Sequence, residues 1–446
     1  MVNGTIKGWG ALVVLVPILT ATAAQAANPL HWVRLLETRR CERCNLAEAD
    51  LRQAFLRQAH LSGANLRGAD LNGADLQNAF LLGADLRGAD LRNANLDGAN
   101  LMGARLDNAR LHAAVMGDRT LIAPRWRLVR DLVTDGVGDR DLRQADLQGA
   151  NLDGVDLRGV DLTEANLAGA TLEAALLSDS TLAQANLAEA SLFLSDLRRA
   201  QVSQANLSQA SLRAADGRRS DFSDTDLSQA DLALAYLDQA SLNHSDLSRA
   251  NLSRAELTGA DLRQSNLTDA NLFVANLHNA QLEGANLQGT RLEGAELSGA
   301  NLSLADLQSS HLAGVRLQDA DLSGVNLRRR DLHGADLSGT NLSQSDLSGA
   351  NLAGANLAGA NLEGTNLSRA NLQGANLEGA SLQGADLQGA NLQQTNLLGA
   401  NLAMTQLQRA NFTRANLYGT NLQRITVLNT NFCEAIMPDG RIHACP

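Results

Sequence analysis

The stretch that decides the fold is residues 145–169, which read ADLQG-ANLDG-VDLRG-VDLTE-ANLAG. A leucine stands at the centre of every pentapeptide, a small residue stands two positions before it, and Asp or Asn separates the two. The five-residue frame runs from Leu46 to Leu111 and again from Leu142 to Ile442, which makes 14 and 61 pentapeptides. Most of the 446-residue chain therefore follows one short repeat.

A five-residue period excludes the regular elements. Five residues of an α-helix advance about 140° beyond a full turn, so the leucines would spiral around every side. Five is odd, so the leucines of a strand would alternate between its two faces. A chain that turns a corner once per pentapeptide instead directs every leucine and the small residue before it inward, and Asp, Asn and Gly suit such corners. We expect a stacked core, with Leu147, Leu262 and Leu352 as examples.

This pattern resembles that of the pentapeptide-repeat proteins, over both runs of the frame. The resemblance implies an all-β fold, a right-handed quadrilateral β-helix with four pentapeptides per coil, here with short helical caps and an insertion. The CxxCNL start at Cys41 and the MPDG ending at Met437 are similar to those of exported cyanobacterial members of the family.

Composition excludes several classes of function. Aromatic residues make up 3% of the chain, and the net charge is −11, which gives no support for nucleic-acid binding. Lys7 is the only lysine, so later P-loop or Schiff-base chemistry is excluded. The eight histidines are scattered, and no two of their numbers differ by one or two full coils. We therefore predict a protein that is not an enzyme, with no catalytic residue, metal site or cofactor.

The segment from Met1 to Ala26 has the pattern of an export signal. Lys7 precedes a short apolar run at residues 11–19, and Ala24-Gln25-Ala26 is typical of a signal-peptidase site. The run is too short for a stable bilayer span. We expect cleavage after Ala26, no membrane insertion afterwards, and residence in the periplasm or the thylakoid lumen. An uncleaved N-terminal anchor is the alternative.

Two segments outside the frame have helical patterns. Asn28 and Pro29 are typical of a helix start, and Trp32, Val33, Leu35 and Leu36 are expected to cover the open end of the stack. A second helix is predicted after Pro124, with Trp126, Val129, Leu132 and Val133 on one face and Gly136 at its end; it is either a spacer or a docking helix.

The predicted organisation is a signal peptide (1–26), an N-terminal cap with the CxxC motif (27–45), a first stack (46–111), a helical insertion (112–141), a second stack (142–432) and a C-terminal cap (433–446).

The four cysteines lie at the two ends of the repeat. Cys41 and Cys44 form a CxxC motif, whereas Cys433 and Cys445 are close to the C-terminus. A zinc site needs four ligands together, and haem attachment needs a histidine after the second cysteine, where Asn45 stands. We predict local disulfides, Cys41–Cys44 and Cys433–Cys445, in an oxidising compartment. A redox-active CxxC is the alternative.

Several positions depart from the repeat. Gly217 replaces a leucine, which predicts a bulged or underpacked coil, and Arg330 replaces the inward alanine, which predicts an outward side chain in a local bulge. Phe193 and Phe273 lie on one face but four coils apart, too distant to form a patch on their own. The C-terminal frame residues Phe432, Met437 and Ile442 are expected to point inward.

The favoured function is an exported, non-enzymatic scaffold that binds an unidentified protein. The family resemblance implies an alternative, since some cytoplasmic members mimic duplex DNA and bind DNA gyrase. Mimicry of DNA needs a surface of one charge sign, whereas acidic residues alternate with Arg throughout this chain.

Overall fold

The structure, a computed structural model, describes residues 26–312 and 314–445. The expected signal peptide lies outside the described residues, apart from Ala26. The chain forms two compact stacks of coils. Of the described residues, the N-terminal stack comprises those from Ala26 to Arg105 together with Ala114–Ile122, and the C-terminal stack comprises Leu106–Ala113 together with those that follow Ile122. The segment Leu106–Ala113 thus belongs to the second stack, although its leucine frame continues that of the first.

Each pentapeptide forms one side of a coil and one corner. In residues 145–149, the Leu147 amide donates to the Asn166 carbonyl of the next coil at 2.8 Å, and the Asn166 amide donates to the Ala145 carbonyl at 2.9 Å. The corner closes where the Ala150 amide donates to the Leu147 carbonyl at 3.0 Å. Gly149 has a φ of 64°, a conformation that glycine adopts without a steric penalty.

The coils stack in parallel, with four pentapeptides in each coil. Bridging residues run from Arg40 to Leu121 in the N-terminal stack and from Asp146 to Ile436 in the C-terminal stack, each paired with the residue 20 or 21 positions away. In the described residues these are single bridges, and none extends into a longer strand. Four pentapeptides make four sides, so the fold is the right-handed quadrilateral β-helix that the family resemblance implies.

The core is made of leucine and alanine side chains from every side. Leu147, Leu262 and Leu352 have no exposed surface, and the alanines that precede such leucines are buried as well. The aromatic residues that a globular core would use are rare because each coil already fills its interior with four leucines.

Helix α1, Pro29–Thr38, starts the N-terminal stack. The Asn28 side chain accepts a hydrogen bond from the Leu30 amide at 2.9 Å, which is the predicted N-cap. Leu35 is fully buried and Trp32 Nε1 donates to the Asp50 carbonyl at 3.1 Å, but Val33 and Leu36 are 42% and 43% exposed, so only part of the expected cover is formed. One helix over a narrow square coil can direct only one row of side chains into the core.

Helix α2, Pro124–Asp135, belongs to the C-terminal stack. Trp126, Val129 and Leu132 are buried as predicted, whereas Val133 is half-buried and Gly136 ends the helix with a φ of 76°. Because the apolar face is occupied within the fold, a docking helix would have to use its polar face. No helix in the described part of the chain is long and apolar enough to span a bilayer.

The C-terminal end departs from the frame. Phe432 and Met437 are half-buried, and Phe432 stacks on Phe412 with ring centroids 5.2 Å apart. Ile442, which the frame directs inward, is 72% exposed. The chain reverses after Gly440 and Ile442 pairs antiparallel with Ile436, so it no longer follows the coil. Inward packing of Ile442 was therefore a wrong expectation.

Gly217 leaves neither a bulge nor a void. Its amide donates to the Tyr236 carbonyl at 2.7 Å, as in a regular coil. A Cβ added to Gly217 would lie 3.0 Å from Leu237 Cδ2 and 3.3 Å from Phe222 Cε2. Phe222, at the next leucine position of the same coil, is fully buried and fills the space. A large residue beside a glycine thus conserves the core volume.

Arg330 interrupts the stack without lengthening a coil. Its amide donates to the Leu327 carbonyl at 3.0 Å, so the corner has the usual five residues, and its side chain is half-buried. A bulge was therefore the wrong expectation. The disturbance lies instead between coils, as described below.

Candidate interaction surface

Arginines on the coil faces are clamped by the aspartate two residues earlier. In the motif Asp-Leu-Arg at residues 156–158, Arg158 Nε donates to Asp156 Oδ1 at 2.9 Å and Arg158 Nη2 donates to Oδ2 at 2.6 Å. The hydrogen bonds from Arg158 lower the pKa of Asp156 to about 2. The same pairing recurs at Asp50–Arg52, Asp85–Arg87, Asp90–Arg92, Asp141–Arg143, Asp196–Arg198, Asp216–Arg218 and Asp261–Arg263. The acids and bases therefore neutralise each other locally.

The remaining Asp and Asn residues before leucine have structural roles. Asn371 Nδ2 donates to Asn351 Oδ1 of the preceding coil at 3.1 Å, and similar ladders run along the stack. The Oδ1 of such residues also accepts the amide two positions later, as Asp386 does from Gln388 at 2.9 Å. These oxygens complete turns and ladders, which is why this position favours Asp and Asn.

The cysteines occupy the two ends of the chain. Cys41 and Cys44 lie with their Cα atoms 5.2 Å apart, and Cys433 and Cys445 with theirs 4.5 Å apart, both within the range of disulfides. The structure joins the sulfur atoms within each pair.

One group of possible metal ligands occurs in the described residues, formed by Cys433, Glu434 and Cys445. Metal binding requires thiolates, whereas the two sulfurs are joined to each other. Glu434 accepts a hydrogen bond from Arg414 Nε at 2.5 Å. Within the described part of the chain, no histidine belongs to such a group.

An exposed apolar surface runs along one corner of the C-terminal stack. Leu194, Leu234 and Val274 occupy that corner in every second coil, and Phe193 and Phe273 stand beside it on the adjoining side. All five side chains are between 37% and 55% exposed. We name these five residues the corner strip. Phe193 and Phe273 alone form no patch; Leu234 lies midway between them along the stack, with Ala214 and Arg254 at the same corner of the intervening coils.

The corner residues of the strip adopt an unfavourable backbone conformation. The φ values of Leu194, Leu234 and Val274 are 57°, 62° and 56°, in the left-handed region. Glycine and polar residues are usual at these corners, and a β-branched valine there is a steric outlier. Non-glycine residues adopt the same conformation at corners throughout the repeat, at a cost of order 1 kcal/mol each, so this conformation is a property of the coil. The strip is unfavourable in solvation as well, because its apolar side chains are exposed.

Arginines line a groove at the C-terminal half of the strip. The groove has a volume of about 270 Å³ and is bordered by Arg213, Leu234, Arg254, Phe273 and Arg291. The Arg291 guanidinium lies 5.9 Å from the centre of the Phe273 ring. In the described structure the side chains of Arg213 and Arg254 have no acidic partner. Aromatic and arginine side chains are enriched in protein–protein interfaces, and Phe273 and the three arginines supply both at this groove.

Period-five reasoning missed this surface. Residues 194, 234 and 274 are spaced by two coils of 20 residues, so their shared corner becomes visible only when the sequence is aligned by whole coils. It also requires knowing which position of the pentapeptide forms the corner.

The family model for pentapeptide repeats (8 copies) matches residues 44–118, 141–192, 195–233, 235–272 and 275–439. No curated protein sequence is significantly similar to the chain.

Three solved structures are similar to parts of the chain. HetL, a pentapeptide repeat protein involved in heterocyst differentiation regulation in the cyanobacterium Nostoc sp., is 35% identical, with 51% of this chain and 91% of HetL covered and a TM-score of 0.24. Rfr23 from the cyanobacterium Cyanothece is 37% identical, covering 26% of this chain and 90% of Rfr23, with a TM-score of 0.15. A pentapeptide repeat protein of the Arabidopsis thaliana thylakoid lumen is 30% identical, covering 25% of this chain and 70% of that protein, with a TM-score of 0.16.

Proposed function

The chain belongs to the pentapeptide-repeat family, and we propose that it is an exported, non-enzymatic scaffold that binds a protein partner through the corner strip. The observation that carries the proposal is the strip itself, where exposed apolar side chains recur in register at one corner. At the opposite corner, exposed apolar side chains occur at Leu304 and Met404, five coils apart, whereas the strip repeats them in every second coil.

The distribution of acids supports a binding role over catalysis. Catalytic carboxylates need environments that push their pKa values toward neutrality. The clamp instead lowers the pKa of Asp141 and Asp156 to about 2, through the hydrogen bonds from Arg143 and Arg158. These carboxylates stay ionised and paired at neutral pH.

Two observations support export. The segment from Met1 to Ala26 has the basic n-region, apolar run and small residues of a cleavable signal. The paired cysteines at both ends suit an oxidising compartment. On this proposal Cys41–Cys44 and Cys433–Cys445 are disulfides, and thiol labelling of denatured protein without reductant is expected to modify none of the four.

The strip can be tested with a pair of matched variants. Leu234→Asn removes an apolar side chain from the strip at a φ of 62°, where Asn is favourable, and Met404→Asn makes the same kind of change at the opposite corner, also at 62°. Crosslinked material is recovered from the host compartment with wild type and both variants, and the captured protein is identified. We expect Leu234→Asn to reduce its recovery at least several-fold and Met404→Asn to leave it unchanged. Equal recovery with all three proteins would refute a role for the strip.

The gyrase alternative is not favoured by any feature of the described surface. Clamped Asp–Arg pairs give alternating charges, whereas a mimic of duplex DNA needs a continuous negative surface. Supercoiling by gyrase is therefore expected to proceed unchanged in the presence of the mature protein.

A further inference from the structure

Three consecutive arginines lie at a position where the clamp is missing. In Asn326-Leu327-Arg328, asparagine replaces the aspartate that would hold the arginine. Asn326 Oδ1 accepts the Arg328 amide at 3.1 Å but offers no charge to its guanidinium. Arg329 and Arg330 follow, and in the described residues none of the three has an ion-pair partner. The result is a cluster of three adjacent cationic side chains without an ion-pair partner among the described residues.

The nearby acids are engaged elsewhere. Asp306 Oδ1 accepts the Gln308 amide at 2.9 Å. Asp331 Oδ1 accepts the His333 amide at 3.2 Å and Asn351 Nδ2 at 2.9 Å. Neither carboxylate is within ion-pair distance of the three arginines, so their guanidinium groups keep free donors.

The backbone ladder is open beside this cluster. On the C-terminal side the coil is regular, since the Arg329 amide donates to the Ser348 carbonyl at 3.0 Å and the Leu332 amide to the Asn351 carbonyl at 2.8 Å. On the N-terminal side, the described residues 306–312 share no backbone hydrogen bond with residues 326–332. Arg330 explains the opening, because a guanidinium cannot replace alanine in the core without a partner and its stem separates the coils.

The missing backbone hydrogen bonds lie beside a cavity. In the preceding coil the Gly289 amide donates to the Gln308 carbonyl at 2.9 Å, but within the described range 306–312 the equivalent bond from Ser309 to Arg328 is not made. Arg330 Nε donates to the Arg328 carbonyl instead, at 3.4 Å. The adjoining cavity has a volume of about 270 Å³ and is lined by Gln308, Ser309, Asn326, Arg328, Arg329 and Arg330.

We infer that this cavity is a binding site for a tetrahedral oxyanion, namely a phosphate group, either free or carried as a monoester. Guanidinium groups match the geometry of phosphate oxygens, and backbone amides released from a ladder are the other donors that such anions use. The Gln308 and Ser309 side chains add uncharged donors at the rim. The cavity exceeds the size of an inorganic phosphate ion, which leaves room for a carried group. This site is separate from the corner strip, and its test does not depend on a protein partner.

The test is a calorimetric titration of the mature full-length protein at constant ionic strength, with inorganic phosphate in one arm and glycerol 3-phosphate in the other. We expect saturable binding that chloride does not replace. Arg328→Gln is expected to weaken it at least about tenfold, the loss of one charge-assisted contact. Arg67→Gln is the matched control, because Arg67 also follows Asn-Leu but lies on a closed ladder, where the Glu48 amide donates to the Arg67 carbonyl at 2.9 Å.

A second variant removes one guanidinium of the cluster together with the residue that interrupts the ladder. Arg330→Ala restores the inward alanine, so we expect the ladder to close, hydrogen exchange at residues 307–312 to slow, and phosphate binding to be lost. Saturable binding of inorganic phosphate or of glycerol 3-phosphate to the wild-type protein supports the site. The ligand that binds more tightly identifies whether the phosphate is free or carried as a monoester. Absence of saturable binding, equal weakening by Arg67→Gln, or undiminished binding by Arg330→Ala with a closed ladder would overturn the inference.

Discussion

Exchanging the sizes of Gly217 and Phe222 tests whether the core conserves volume within a coil. Gly217→Leu places a side chain where the first added carbon already lies 3.0 Å from Leu237 Cδ2 and 3.2 Å from Ser220 Oγ. Overpacking of this kind costs about 1–3 kcal/mol. Phe222→Leu removes ring atoms from a fully buried site and leaves a cavity, at a cost of about 1–3 kcal/mol.

The double variant restores the ordinary repeat at both positions. Because the added leucine fills the volume that the phenyl ring vacates, we expect the two losses to cancel to within about 1 kcal/mol of wild type. The two single losses sum to about 2–6 kcal/mol, so a double variant near wild type corresponds to a coupling energy of about 2–6 kcal/mol in its favour, at or above the range usual for residues in contact.

Urea unfolding of the four proteins measures the coupling, and hydrogen exchange locates it. A solenoid can open coil by coil, so exchange at residues 215–240 is the more direct readout. Faster exchange there in both single variants and recovery in the double variant is the expected result. Additive losses in the double variant would show that Phe222 does not fill the space beside Gly217.

Three further predictions concern the core, the clamp and the mature terminus. Leu352→Ala should lower the free energy of unfolding by about 2–5 kcal/mol, whereas its outward neighbour Ala353→Ser should change it by less than about 0.5 kcal/mol; equal losses in urea unfolding would contradict the four-sided coil. Arg158→Gln should raise the pKa of Asp156 from about 2 toward its ordinary value. Because the pKa of Asp156 is depressed in the folded protein, the clamp stabilises the fold above about pH 4, and this stabilisation is lost as the pH falls toward 2. A carboxyl NMR titration of the variant that shows no rise in this pKa would exclude the clamp. Intact-mass spectrometry of protein from the native host should give an N-terminus at Ala27, and retention of Met1 or Val2 on soluble cytoplasmic protein would contradict export.

The fold could be predicted from the sequence because a five-residue period has one compact solution. Leu147, Leu262 and Leu352 are buried for the reason that the period gives, and the Asn28 N-cap and the buried face of α2 follow from local chemistry. The packing of the two ends of the repeat was harder to predict, because a terminal coil lacks the neighbouring coil that determines which side chains point inward.

The candidate surface depended on relations that a single pentapeptide does not contain. Phe193 and Phe273 are visible in the sequence, but their relation to Leu234 needs the register between coils and the position of the corner. The compensation at Gly217 and the open ladder at Arg330 depend on neighbours in adjacent pentapeptides and coils. Local patterns predict the repeated unit, whereas exceptions to it depend on side-chain packing in three dimensions.

Because each coil contains four pentapeptides, the loss of one pentapeptide and the loss of four have different consequences. Loss of one pentapeptide keeps every later leucine inside but turns all later side chains by a quarter of a coil. Loss of four removes one complete coil and leaves the remaining columns aligned. A single-pentapeptide deletion between Phe193 and Phe273 would therefore preserve a folded core while dividing the corner strip between two different corners. Insertions or deletions of one pentapeptide can thus create new binding faces while the core stays unchanged. Only insertions or deletions of a whole coil keep the existing binding faces aligned.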